Sequence, residues 1–113
     1  MATIDSYSFG RIVIDGREHT KDVIVLPNRI RTDWWRRDGH GLVVEDLADV
    51  IDELPDNLVI GTGAYGRMKP DPAALDDFER RGINVEVLQT GDAVERYRSM
   101  NPAATAAALH LTC

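Results

Sequence analysis

The sequence predicts a single α/β domain, three layers deep, with a partly parallel sheet. Three observations predict it. The first third of the chain carries short β-branched-rich runs separated by turn signals. The remainder alternates amphipathic helical stretches with all-apolar runs, the order that builds parallel strand pairs. Finally, 113 residues make one domain, 1–113, long enough to bury about two thirds of the unfolded chain's surface.

Each element follows from local chemistry. Residues 9–15 and 22–26 are β-branched runs, and the turn-forming pair Asp15-Gly16 between them marks a hairpin. From Asn28 to Arg36 the residues Ile30, Thr32 and Trp34 alternate with Arg29, Arg31, Asp33 and Trp35, the period of a half-buried strand, with Trp34 inward and Trp35 outward. Leu47, Val50, Ile51 and Leu54 fall at helical spacing among acidic residues, so an amphipathic helix is expected, stopped by Pro55. Leu58-Val59-Ile60 reads as a buried strand. A second helix has Asp71 as N-cap, Pro72 in its first turn, Leu75 and Phe78 inward and Gly82 past its end. Ile83–Leu88 is a strand, and Thr90 is the expected N-cap of a third helix carrying Val94, Tyr97 and Met100. Asn101-Pro102 opens one more short helical piece. Residues 106–113 stay open between helix, favoured by alanine, and strand, favoured by the alternation at Leu109–Thr112.

Composition narrows the function. A formal charge of −6 argues against nucleic acid as a partner, although Arg29–Arg37 holds four arginines and two tryptophans. The longest apolar runs, such as Val23–Leu26, fall far short of the roughly 20 residues that span a bilayer. The single cysteine, Cys113, makes no internal disulfide, and no secretory signal opens the chain, so a soluble cytoplasmic protein is expected. His19, His40 and His110 lack metal-ligand spacing, and no metal is expected. No nucleophile elbow surrounds a serine, and on a strand His110 and Cys113 would face opposite sides.

Two tracts hold candidate binding residues. Gly61-Thr62-Gly63-Ala64-Tyr65-Gly66 matches G-x-G-x-x-G after a strand. Pro70 and Pro72 delay the next helix, however, and Gln89 or Thr90 stands where a ribose-binding acid belongs, so no dinucleotide cofactor is expected. A glycine turn with positive φ, or a loop holding a small anion on free N–H groups beside Arg67 and Lys69, remain the two readings. In the other tract, an outward Trp35 beside Arg36 and the loop Gly39-His40-Gly41 has the composition of a protein-contact hot spot.

Taken in order, Ile4–Gly10, Trp34-Trp35-Arg36 with His40, Leu58–Gly63, Gln89-Thr90 before Asp92-Ala93, and Leu109–Cys113 resemble one family over nearly the whole chain. It is the small domain shared by the mitochondrial assembly factor three of respiratory complex I, the adipogenesis-associated cytosolic protein of animals, and prokaryotic proteins first described from a methanogen. The resemblance implies a central mixed sheet, an added β layer from the N-terminal strands, helices on the other side, and a strand at the tail. It supplies no reaction and hence no catalytic residue. The chain differs from the mitochondrial member in lacking an Arg- and Ser-rich presequence. The expected function is therefore non-enzymatic and assembly-factor-like: binding a protein partner through Trp35, Arg36 and His40. The alternative is a small-anion-binding protein or enzyme with a cleft between the Trp34–His40 and Gly61–Gly66 loops, using Gly61, Thr62, Gly63, Gly66 and Thr90. Homo-oligomerisation is left open by the sequence.

Overall fold

Turn chemistry decides where the chain first folds back. In the computed structural model, which describes residues 2–113, Asp15 and Gly16 take φ of 50° and 78°. Such a two-residue turn matches the twist of the strands it joins. It pairs β2 (Arg11–Ile14) with β3 (Arg17–His19), and β1 (Ile4–Ser8) completes an antiparallel three-stranded sheet in the order β1-β2-β3. The expected hairpin is present, but its second strand is β3. A tight turn returns the chain at once, and the 22–26 run goes to a second sheet as β4 (Val23–Val25).

The long strand expected over 28–36 reduces to β5 (Ile30–Arg31). Asp33 takes a left-handed φ of 51°, which no strand can continue, and the Trp34 N–H then donates to the Asp22 carbonyl at 2.8 Å. A short β6 (Gly41–Leu42) follows. The expected helix over 47–54 is two 3-10 turns, Val44–Leu47 and Ile51–Glu53. Leu47 and Val50 are buried as the spacing requires. The β-branched residues Val43, Val44, Val50 and Ile51 and the unrelieved run of acids weaken a continuous α-helix. Asp49 and Glu53 are drawn instead to Arg31 and Arg29 beside β5.

The remaining elements are β7 (Asn57–Thr62), β8 (Lys69–Pro70), α1 (Pro72–Arg80), β9 (Asn84–Leu88), α2 (Thr90–Arg98) and β10 (Thr105–His110). Helix α1 starts as expected, with the Asp71 carboxylate accepting from the Ala73 N–H at 3.0 Å. Asn101 caps the 3-10 turn at Pro102–Ala104 in the same way. The cap of α2 moves by one residue, to Gln89, and Thr90 becomes its first helical residue.

The main sheet has the order β5-β4-β10-β7-β9, with β10 parallel to β7, β7 parallel to β9, and β4 antiparallel to both its neighbours. A further short parallel pair joins β6 and β8. All six residues of β10 are buried. The tail is thus the central strand, where tertiary burial on both faces overrides alanine's helix propensity. Alternate residues feed two cores. Ile24, Leu58, Ile60, Ala106 and Ala108 pack with Trp34, Leu42, Leu47, Met68 and Phe78 of α1. Val23, Val25, Val59, Ala107 and Leu109 pack with Ile4, Ile12 and Ile14 of the small sheet and with Val94 and Tyr97 of α2.

The fold class is a mixed α/β domain with a central mixed sheet, an N-terminal β layer and two helices. One placement differs from the expectation: α2 shares its face with the small sheet, and only α1 lies opposite. The connection β7–α1–β9 moves outward across the sheet and β9–α2–β10 moves back past β7. Parallel connections of one hand that move in opposite directions place their helices on opposite faces.

Candidate functional site

The C-terminal ends of β7 and β10 bring the two candidate tracts together. His110, the last residue of β10, is 7% exposed, and Arg36 is 6% exposed. Asp22, just before β4, joins them. Its Oδ2 accepts from Arg36 Nη1 at 2.8 Å and lies 2.8 Å from His110 Nδ1, while its Oδ1 accepts from the Leu111 N–H at 2.8 Å. His110 Nδ1 also lies 2.9 Å from Arg36 Nη2. An ionised carboxylate can only accept, so we assign the proton to Nδ1 as a donor to Asp22. Arg36 Nη2 then donates to the Gly39 carbonyl at 3.1 Å. The guanidinium also lies 4.8 Å from the centre of the Trp34 ring, whose Nε1 donates to the Asp46 carbonyl at 2.9 Å.

Burial is the strongest single influence on the Asp22 carboxyl and pushes its pKa up. Donors at His110, the Leu111 N–H and Arg36 together outweigh it, and the pKa sits below the ordinary value. Arg36 is therefore not a surface contact, as the sequence reading placed it. A charged group this deep needs fixed partners, and Arg36 finds them in Asp22 and the 39 carbonyl, tying residues 34–39 to the sheet. Trp34 is 4% exposed and Trp35 75%, as the alternation implied, although only β5 keeps strand geometry there. His40 is exposed, its carbonyl accepting from the Lys69 N–H at 2.8 Å.

In the glycine tract the N–H groups of Gly63, Ala64, Gly66, Arg67 and Met68 all have internal partners. The Gly63 N–H donates to Thr90 Oγ1 at 2.8 Å, and Thr90 Oγ1 donates to the His110 carbonyl at 2.6 Å. The Ala64 N–H donates to the Thr112 carbonyl at 2.6 Å, and the Arg67 N–H to the Cys113 carbonyl at 2.9 Å. The Gly66 and Met68 N–H groups donate to the Gly63 and Thr62 carbonyls. Thr62 Oγ1 donates to the Leu88 carbonyl at 3.0 Å. The expectation of free N–H groups is corrected for these five: residues 112 and 113 lie over the loop and take the Ala64 and Arg67 donors. The glycines answer to packing. A Cβ at Gly61 would come 2.9 Å from Leu109 Cδ2 and from Thr90 Oγ1, and one at Gly63, where φ is +106°, only 2.3 Å from the Cys113 carbonyl carbon. Gly66 also has positive φ.

Thr62, Gly61, Gly63, Gly66 and Thr90 are thus gathered at one strand end, whereas His40 stands apart from them. The cavity beside His40, about 340 Å³, is walled by Arg37, Leu42, Asp46 and Lys69 among others, and neither Thr62 nor Thr90 belongs to its lining. No group of three or more His, Cys, Asp or Glu side chains among the described residues could hold a metal ion. Among the described residues no helix is long and apolar enough to cross a membrane.

Two candidate residues escaped the sequence reading. Phe9 and Tyr65 are 55% and 68% exposed, and their ring centres are 5.9 Å apart. Phe9 sits in the β1–β2 turn, held at this end by the Gly10 N–H donating to the Leu111 carbonyl at 2.9 Å. The only sequence signal was an aromatic residue next to a turn glycine at each position. Beneath them the Tyr7 hydroxyl donates to the Leu111 carbonyl, and burial followed by the Asp22 charge raises its pKa.

The profile of the family described as "Protein of unknown function (DUF498/DUF598)" matches residues 4–111. The chain belongs to the DUF498/DUF598 family. A conserved hypothetical protein from Pyrococcus horikoshii has a similar structure, with a TM-score of 0.83 and 28% identity over 98% of this chain and 99% of that one. An outer membrane protein from Bartonella henselae aligns with a TM-score of 0.82 and 24% identity, over 99% of this chain and 96% of its own. A Mth938-like domain from Bordetella pertussis aligns at 0.71 and 16% identity, over 96% and 85%. The last two likenesses concern the fold alone.

Proposed function

We propose that this member of the family is a non-enzymatic, assembly-factor-like domain that binds a protein partner through the end of the sheet carrying Trp35, Tyr65 and Phe9. One observation carries the reading. Four large hydrophobic residues are exposed among the described residues, and three of them are aromatics at this one end. Aromatic side chains on a rigid support are the commonest anchors of protein interfaces. The support here is the buried Asp22–His110–Arg36 cluster and the internally hydrogen-bonded loop 63–68. Arg37 and Arg67, which make no ion pair among the described residues, flank Trp35 and Tyr65 in the sequence, so the partner surface that fits best combines apolar and acidic side chains. The small-ligand alternative has less support. Open α/β sheets usually take ligands at the C-terminal ends of parallel strands, and residues 111–113 fill that place.

Quantitative affinity capture from native lysate tests the proposal, comparing the wild-type chain with Trp35→Ala, Tyr65→Ala and, as a distant surface control, Val87→Ala. A protein enriched by wild type and Val87→Ala but depleted about tenfold or more by both aromatic variants is the expected result, the usual loss at an interface anchor. Equal recovery by all four proteins would overturn it.

A further inference from the structure

A cavity lies away from this end, between two open sheet edges. Strand β3 is the outer strand of the small sheet and β5 the outer strand of the main sheet, and the turn at 26–29 closes the space between them. The cavity measures about 440 Å³, within the ordinary range for small-molecule sites. Ile14 and Leu26, both buried, form its floor with Pro27 and Ile30. Its rim is made of hydrogen-bond donors: Arg17, His19, Asn28, Arg29 and Thr32.

The charge at that rim is unusual for this chain. Eight of the eleven arginines are ion-paired among the described residues, and Arg17 is not. Arg29 spends Nε and Nη2 on Glu53, which leaves Nη1 without a bond among the described residues. The one acid in the lining, Asp15, already accepts from the Thr3 N–H at 2.8 Å. His19, half-buried, lines the cavity beside them.

We infer that this cavity is a binding site for a small organic anion: a carboxylate or phosphate head group held by Arg17, with His19 and Arg29 beside it, on an apolar body resting against Ile14, Leu26 and Ile30. A formal charge of −6 would repel such a ligand from most of the surface, so the unpaired Arg17 over an apolar floor supplies both the attraction and the selectivity. This site is separate from the aromatic end, and the two proposals stand or fall independently.

Titration of the full chain with hexanoate, hexyl phosphate, inorganic phosphate and 1-hexanol, followed by two-dimensional amide NMR, tests it. Saturable shifts confined to residues 17–19 and 26–32 are expected with at least one of the two hexyl anions, and the tighter of the two identifies the head group. Inorganic phosphate and hexanol, each lacking half of the recognition, should bind more weakly. Arg17→Gln should weaken the anion by about tenfold or more, the loss of a charge-assisted contact, and Arg17→Lys should recover part of it. Because Arg17 is exposed, its variants should keep the remaining amide spectrum. Hexanol binding as well as the anions, shifts centred elsewhere, unchanged affinity in Arg17→Gln, or no saturation with either anion would each overturn the inference.

Discussion

Residues 61–67 and residues 34–41 are neighbours at one end of the sheet, yet they dispose of their chemical groups in opposite ways. The glycine tract turns its N–H groups inward, onto Thr90 and onto the carbonyls of residues 63, 112 and 113. The tryptophan tract divides, residue by residue: Trp34 and Arg36 are anchored in the interior, and Trp35 between them stands in solvent. A motif that looks like a ligand loop can therefore be scaffold for its backbone, while exposed aromatics held on rigid supports, Trp35 among them, are what the proposed partner contact rests on. Rigidity is the link. A Trp35 on a mobile loop would lose conformational entropy on binding that a pinned one has already lost on folding.

The sharpest way to break this contrast is to exchange the roles of the two tryptophans. Trp34→Ala removes a buried ring, the Nε1 bond to the Asp46 carbonyl and the surface on which Arg36 lies. The expected loss of stability is about 3–5 kcal/mol. Trp35→Ala should change stability by no more than about 0.5 kcal/mol. Urea unfolding followed by circular dichroism measures both, and equal losses would show that the tract is not divided as described.

Removing the anchor beneath Trp35 is the next largest perturbation. Asp22→Asn leaves the Arg36 charge buried without its counterion, at an expected cost of about 3 kcal/mol near neutral pH. The sign of its pH dependence follows from the depressed Asp22 pKa. The folded state keeps the carboxylate ionised to lower pH than the unfolded chain does. Its stabilisation is thus fully present above the ordinary value of 3.8 and lost as pH falls through the lower folded value. The stability gap between wild type and Asp22→Asn should be present at about pH 5 and close below about pH 4. A gap that persists undiminished to about pH 2 would contradict the assignment.

Legibility in the sequence followed the range of the interactions. Caps are local, so Asp71 and Asn101 were readable with their short helical pieces, and Asp15-Gly16 was readable as a turn. Burial periodicity was also readable: Leu47 and Val50 point inward as spaced, although 3-10 turns replace the expected helix. The long-range pairings were not. Nothing near Asp22 in the sequence signals His110 or Arg36, which lie 88 and 14 residues away, and an isolated Arg36 next to an exposed Trp35 reads naturally as surface. The same distance hid the fate of the glycine loop, because the groups that occupy it come from residues 90, 112 and 113. The tail could be placed as a strand only by resemblance, and its central position not at all, since three successive alanines carry no strand signal until both faces are covered.

Gly63→Ala should cost less than Trp34→Ala or Asp22→Asn and gives the most direct view of the glycine tract. The new Cβ would stand 2.3 Å from the Cys113 carbonyl carbon and 2.6 Å from its oxygen, with His110 Cδ2 at 2.9 Å. A φ of +106° adds strain that an L side chain does not relieve. Backbone atoms rather than a flexible side-chain end form the obstacle, so something must move. Residues 112–113 lie beyond the last strand and can swing away at the expense of two hydrogen bonds, from the Ala64 and Arg67 N–H groups, which caps the damage. We expect a loss of about 1–3 kcal/mol, the sum of the strain and those bonds. Amide hydrogen exchange should speed up at Ala64 and Arg67 while the core of β10 stays protected, because the displacement is local. If the glycine instead served a ligand, the free protein would tolerate alanine with no change in either amide, and that outcome would return the loop to the class of candidate anion sites.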